Sequence, residues 1–135
     1  MDSLQKGANF GWNAYEGPCP GNNPGCNPAT TNFGSTSAPI HFYRHSGAGE
    51  TGNVIIGGVF ADGSDYPSPY DGAYFYGDNG AGWVHVLTMD PSNAVTGRFD
   101  FDQLGCPVSF ADGPDGNIYV ADICRGVIYK YVYAP

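Results

Sequence analysis

The chain has 135 residues, enough for one ordinary domain, and is rich in glycine (21), proline (11) and tyrosine (10). Thirteen acidic residues against five basic give a net charge of −8, which disfavours nucleic acid and anionic membranes as partners. No apolar run is long enough to cross a membrane as a helix, and no segment has the pattern of an amphipathic helix, so an all-β chain is expected.

In chain order, Lys6-Gly7-Ala8-Asn9 reads as a turn. Phe10-Gly11-Trp12 then leads into a short strand that ends at Glu16-Gly17-Pro18. Met1-Asp2-Ser3-Leu4 lacks the apolar core of a signal peptide, so a piece of a longer protein is expected. Residues 18–38 are loop, clipped by Cys19 and Cys26, whose spacing suits a small disulfide loop and not a zinc knuckle. Cys106 precedes one strand and Cys124 lies in the next hairpin turn. Of three possible connectivities, 19–26 with 106–124 is the expected one, and it implies a secreted or periplasmic location.

Pro39 to His45 reads as a short strand with His41 and His45 on one side. The two histidines are candidate metal ligands; bracing of a loop is the competing reading, since no third ligand stands at a suitable spacing. Asn53 to Phe60 is an apolar strand, expected to be a buried inner or second strand with a bulge at Gly57-Gly58. A loop from Ala61 to Tyr70 precedes a hairpin from Asp71 to Met89. Asp90-Pro91-Ser92-Asn93 then turns the chain into an outer strand, Val95 to Phe101. Cys106 to Ala111 opens the next unit, and a second hairpin closes it at Val132.

The two hairpins are copies. Asp71, Gly72, Asp78 and Gly82 recur 44 positions later as Asp115, Gly116, Asp122 and Gly126, and FADG occurs at 60–63 and again at 110–113. A self-similar unit of short strands at this period is the mark of a propeller blade. Four-stranded antiparallel blades are therefore expected, about two to two and a half of them: leading strands and a disulfide loop over 1–52, a blade over 53–104 and an incomplete blade over 105–135. Such a partial β-propeller would be closed by further chain or by other copies in a homo-oligomer. Asp78 and Asp122 are expected to brace their hairpins. Asp112-Gly113-Pro114-Asp115-Gly116-Asn117 is read as a turn, because it lacks the alternating ligands and terminal glutamate of a calcium loop.

Six motifs follow one order: Asn9-Phe10-Gly11-Trp12 with Glu16-Gly17; Tyr43-x-His45; Ile56-Gly57-Gly58; Gly72-x-Tyr74-x-Tyr76-Gly77-Asp78; Gly113-Pro114-Asp115-Gly116-x-Ile118-Tyr119; and Gly126-Val127-Ile128-Tyr129. In that order they resemble the C-terminal part of the glucose/sorbosone dehydrogenase family, the soluble quinoprotein sugar dehydrogenases. The resemblance implies a six-bladed propeller that carries pyrroloquinoline quinone and calcium and oxidises aldoses. It makes Asp78, Asn79 and Arg125 the candidate cofactor contacts in this chain. Where the family commonly has a basic residue after the first Gly-Asp, this chain has Asn79-Gly80-Ala81-Gly82, and it has Cys106-Pro107-Val108 where many members have Arg-Pro-Val. The early blades that bear the family's catalytic histidine have no counterpart here, so no efficient dehydrogenase activity is expected of the chain alone.

Two further readings stand beside this one. The first is a self-assembling module that binds sugars or polysaccharide without catalysis, with Tyr76, Trp83 and His85 as candidate substrate contacts. The second is a metal-dependent, carbohydrate-active enzyme built on the histidines.

Overall fold

The computed structural model describes residues 1–2, 6–11, 17, 36–62 and 66–134. The expected strand after Phe10 and the Cys19–Cys26 pair lie largely or wholly outside them. The chain divides into two compact units, Met1–Tyr43 and Arg44–Pro135.

In the first unit the described residues form turns and extended chain but no strand. The Met1 amino group donates to the His41 carbonyl (2.9 Å), and the amides of Ile40 and Ser37 donate to the carbonyls of Met1 and Asn9.

The second unit holds seven strands and, among the described residues, no helix. They are β1 (Ile55–Phe60), β2 (Tyr74–Asp78), β3 (Trp83–Met89), β4 (Val95–Gln103), β5 (Pro107–Asp112), β6 (Ile118–Asp122) and β7 (Val127–Tyr131). They form two antiparallel sheets, ordered β1-β2-β3-β4 and β5-β6-β7. Both repeated hairpins fold at the expected residues. Aromatic and β-branched side chains alternate across each pleat, and Gly82 and Gly126 take left-handed φ values of 77° and 65° at the end of each turn.

Two expectations are corrected. Pro39 to His45 is not a strand; only an isolated bridge joins Arg44 to Thr51. Proline brings no amide to a ladder there, and the chain turns back at once through Gly47 and Gly49, both at positive φ. Asn53 to Phe60 does form a strand from Ile55 onward, with its irregularity between Ile56 and Val59. It is an edge strand, however, and its residues are half-buried or exposed. Gly58 is obligatory at the bulge, because a Cβ there would lie 1.5 Å from the Phe75 carbonyl oxygen.

Register assigns the faces. Tyr76 pairs with His85 and Tyr74 with Leu87 on one face of the first sheet, and Phe75 pairs with Val86 on the other. That second face, with Val84 and Phe101, packs on Phe110, Ile118, Val120, Tyr129 and Tyr131 of the second sheet. Gly77 lies close against the second sheet, since a Cβ there would stand 3.0 Å from the Phe110 ring. Among the described residues nothing packs on the outer face of the second sheet, with Ala111, Tyr119, Ala121 and Ile128, and Ile128 is 72% exposed.

Shifting the first hairpin by the repeat of 44 superposes Tyr76, His85 and Leu87 on Val120, Tyr129 and Tyr131. The second sheet thus turns toward the first the face equivalent to the one that the first sheet turns away from it.

The Cys106–Cys124 disulfide is formed and links the entry of β5 to the β6–β7 turn, closing a separation of 18 residues. Constraint of the unfolded chain over a loop of that length is worth about 3 kcal/mol. Replacing Cys106→Ser together with Cys124→Ser is expected to lower the unfolding free energy by about that amount in urea titrations, with the far-ultraviolet spectrum unchanged.

Candidate functional site

Each hairpin is held by a buried aspartate. The Asp78 carboxylate accepts from the amides of Asn53 (2.7 Å), Val54 (2.8 Å) and Ala81 (2.6 Å). Asp122 repeats the arrangement with Gly105 (2.8 Å), Cys106 (3.0 Å), Cys124 (3.0 Å) and Arg125 (3.2 Å). The backbone follows suit. Asn79 donates to the Val54 carbonyl as Ile123 does to that of Cys106, and Gly82 donates to Asp78 as Gly126 does to Asp122. Burial opposes the charged form of Asp122. The amides of Cys106, Gly105 and Arg125, aided by the Arg125 guanidinium, outweigh it and hold the carboxyl below its ordinary range.

Of the candidate cofactor contacts, Asp78 is wholly buried and engaged in this clamp. Asn79 spends its side chain on the Pro107 carbonyl (3.2 Å). Arg125 is half-exposed and donates to the Tyr129 hydroxyl (3.0 Å). Of the other cations of the two sheets, Arg98 pairs with Asp100 and lies 3.1 Å from His85 Nδ1, and Lys130 pairs with Asp115. A quinone tricarboxylate needs converging cations. Among the described residues none converge, and no three His, Cys, Asp or Glu side chains are placed to share a metal ion. Among the described residues no such set for pyrroloquinoline quinone or calcium is seen.

His45 donates from Nδ1 to the Gly52 carbonyl (3.1 Å), which braces the loop in which the Gly52 amide also donates to the Arg44 carbonyl. His41 belongs to the first unit.

The loop braced by His45 carries the residues that the sequence did not single out. Glu50 accepts from the Tyr76 hydroxyl and from His85 Nδ1, each at 2.6 Å. The Trp83 indole donates to the Thr51 carbonyl (2.8 Å), and its ring stacks on the His85 imidazole at 3.9 Å with planes 3° apart. Across the sheet, His85 Nε2 lies 3.1 Å from Asp100. The Arg98 guanidinium beside Asp100 holds that carboxyl below its usual range.

The expected sugar contacts are thus brought together, but inside the protein: Tyr76 is 0% exposed, and Trp83 and His85 are 7% exposed. One face of Trp83 is taken by His85, while Trp83 and His85 line a shallow cleft of about 360 Å3 with Asp100, Phe101, Asp102 and Gln103. Chemically the group is an oriented imidazole held between two carboxylates. The only sequence signal for its acidic side is the alternation Arg98-x-Asp100 opposite His85.

No family model matches the chain, and no solved structure matches it. The chain is similar to the HIPL1 protein of Arabidopsis thaliana, 33% identical over 128 residues that take in 84% of this chain and 17% of that protein. The chain therefore spans about a sixth of that relative's length.

Two outcomes are expected. The folded-state pKa of Asp122 lies below its ordinary value of 3.8. Its contribution to stability is therefore complete above about pH 4 and is lost as the pH falls through the lower, folded value. Thermal melts should show the midpoint dropping below pH 4, and the drop should be smaller in Asp122→Asn, which is less stable at neutral pH. Replacing Glu50→Ala strips the shared acceptor from Tyr76 and His85 and is expected to cost about 2 kcal/mol in urea unfolding.

Proposed function

We propose that the two sheets are consecutive blades of a β-propeller belonging to a secreted protein of the quinoprotein sugar dehydrogenase type, in which this segment supplies scaffold and not the redox centre. The head-to-tail stacking carries this reading. A sheet that always turns the same face to its predecessor leaves one face unpaired at the end of any row, and closing the row into a ring removes that open face. Ile128, Ala121 and Ala111 on the open face, with β7 at an uncovered edge, are consistent with a further blade beyond the second sheet. The order of the sequence motifs supports the sugar dehydrogenase assignment, and the Cys106–Cys124 disulfide supports secretion. Quinone and calcium would be held by groups outside the described residues.

A second reading keeps the ring and drops the oxidation: copies of the chain close on one another as a sugar-binding module. Native mass spectrometry after incubation with calcium and pyrroloquinoline quinone separates the two. The scaffold reading expects concentration-dependent association through the open face, with no quinone retained. A closed oligomer holding one quinone per ring would place the redox centre in these sheets and overturn it. A discrete, quinone-free oligomer that binds sugar through residues of both copies would favour the module.

A further inference from the structure

A cleft of about 420 Å3 opens beside the packed sheets, between the 66–70 segment, β2, β4 and the end of β7. That is within the range of roughly 300–1,000 Å3 usual for small-molecule sites. Its walls are rings. Phe101 meets Phe75 edge-on at 5.0 Å, Tyr70 at 5.4 Å and Tyr131 at 4.9 Å, and Tyr66 and Tyr133 add further rings beside Pro67, Lys130 and Val132.

The polar groups around it fall into two sets. Some are spent on the fold. The Tyr66 hydroxyl donates to the Tyr131 carbonyl (2.7 Å) and accepts from the Ile118 amide (2.9 Å), and the Tyr131 hydroxyl donates to Asp102 (2.9 Å). Burial and the neighbouring Asp102 push the Tyr131 phenol well above its ordinary pKa, so it stays protonated. Lys130 is neutralised by Asp115 at 2.7 Å. The others are open: among the described residues the hydroxyls of Tyr70 and Tyr133 make no hydrogen bond within the protein.

We propose that this cleft binds a neutral sugar ring, whose apolar face lies against the aromatic wall while its hydroxyls meet those of Tyr70 and Tyr133. The chemistry excludes the obvious competitors. A charged ligand finds no unpaired counter-charge at the lining, and an anion also meets a chain of net charge −8. A purely apolar ligand would cover two hydroxyls without pairing them, which costs affinity. A polyhydroxylated ring, apolar on its face and polar at its rim, satisfies both sets of groups. The site is distinct from Tyr76, Trp83 and His85, and it does not depend on the sugar-oxidation reading.

Saturation-transfer NMR on the full chain tests it, with glucose, galactose, mannose and N-acetylglucosamine at several millimolar and cyclohexanol as an apolar control. Transfer to the ring C–H groups of at least one sugar is expected, with millimolar affinity and unchanged tryptophan emission, because no tryptophan lines the cleft. Tyr133→Ala should abolish the transfer and Tyr70→Phe should weaken binding about fivefold, with thermal midpoints near that of the parent. The proposal is overturned if no sugar shows transfer, if both variants bind like the parent, if cyclohexanol binds more tightly than every sugar, or if binding perturbs Trp83 instead.

Discussion

The buried aspartate at the end of the second strand of each sheet is the constraint on which the rest of this structure depends. A carboxylate removed from water is costly unless its oxygens are saturated, and here each is saturated by backbone amides from two places at once. Asp78 takes Asn53 and Val54 from the chain entering β1 and Ala81 from the turn into β3. Asp122 does the same with Gly105, Cys106, Cys124 and Arg125. One side chain therefore sets where a sheet begins and where its central hairpin turns. The loops between first and second strands are free to differ in length, as the Ala61–Tyr70 segment does from its shorter counterpart. The disulfide occupies the places of Val54 and Gly80 in the first copy, so it reinforces a junction that the aspartate already makes.

With both sheets built on one plan, their packing is directional. Phe75, Val84 and Val86 of the first sheet receive Phe110, Ile118 and Val120 of the second, and the second sheet then presents its own equivalent face with nothing against it among the described residues. The interface sets unlike faces of the two sheets together, a head-to-tail step with no twofold symmetry. Such steps build rings or rows, and this is the physical basis for reading the two sheets as blades.

The two aromatic groups of the molecule have opposite chemical character. Around His85 each polar atom has a partner within the protein, and the rings pack on one another; the imidazole–indole stack fastens the 44–52 loop to the sheet face. In the cleft beside β7 the rings of Phe75, Tyr70, Phe101 and Tyr131 pack on one another, and among the described residues the hydroxyls of Tyr70 and Tyr133 make no hydrogen bond. Tyrosine is present in both places. What differs is that a loop meets the rings around His85 and supplies the Glu50 carboxylate and the Thr51 carbonyl as acceptors.

From the sequence alone the strands of both hairpins, their shared turn chemistry, the bulge at Gly57-Gly58, the bracing aspartates and the Cys106–Cys124 pair could be read. All of these rest on local rules: side-chain alternation, glycine at a left-handed turn, and a repeat that places like residues in like positions. The absence of a strand at Pro39 to His45, the edge position of β1 and the partners of His85 could not. Those depend on which segments meet across long stretches of chain, as Glu50 meets His85 over 35 positions and Tyr66 meets Ile118 over 52. No pattern within a strand encodes such distances. Tertiary structure alone decided that Tyr76 and Trp83 would be covered and that Tyr133 would be left open, because exposure belongs to the packed sheets and not to the residue.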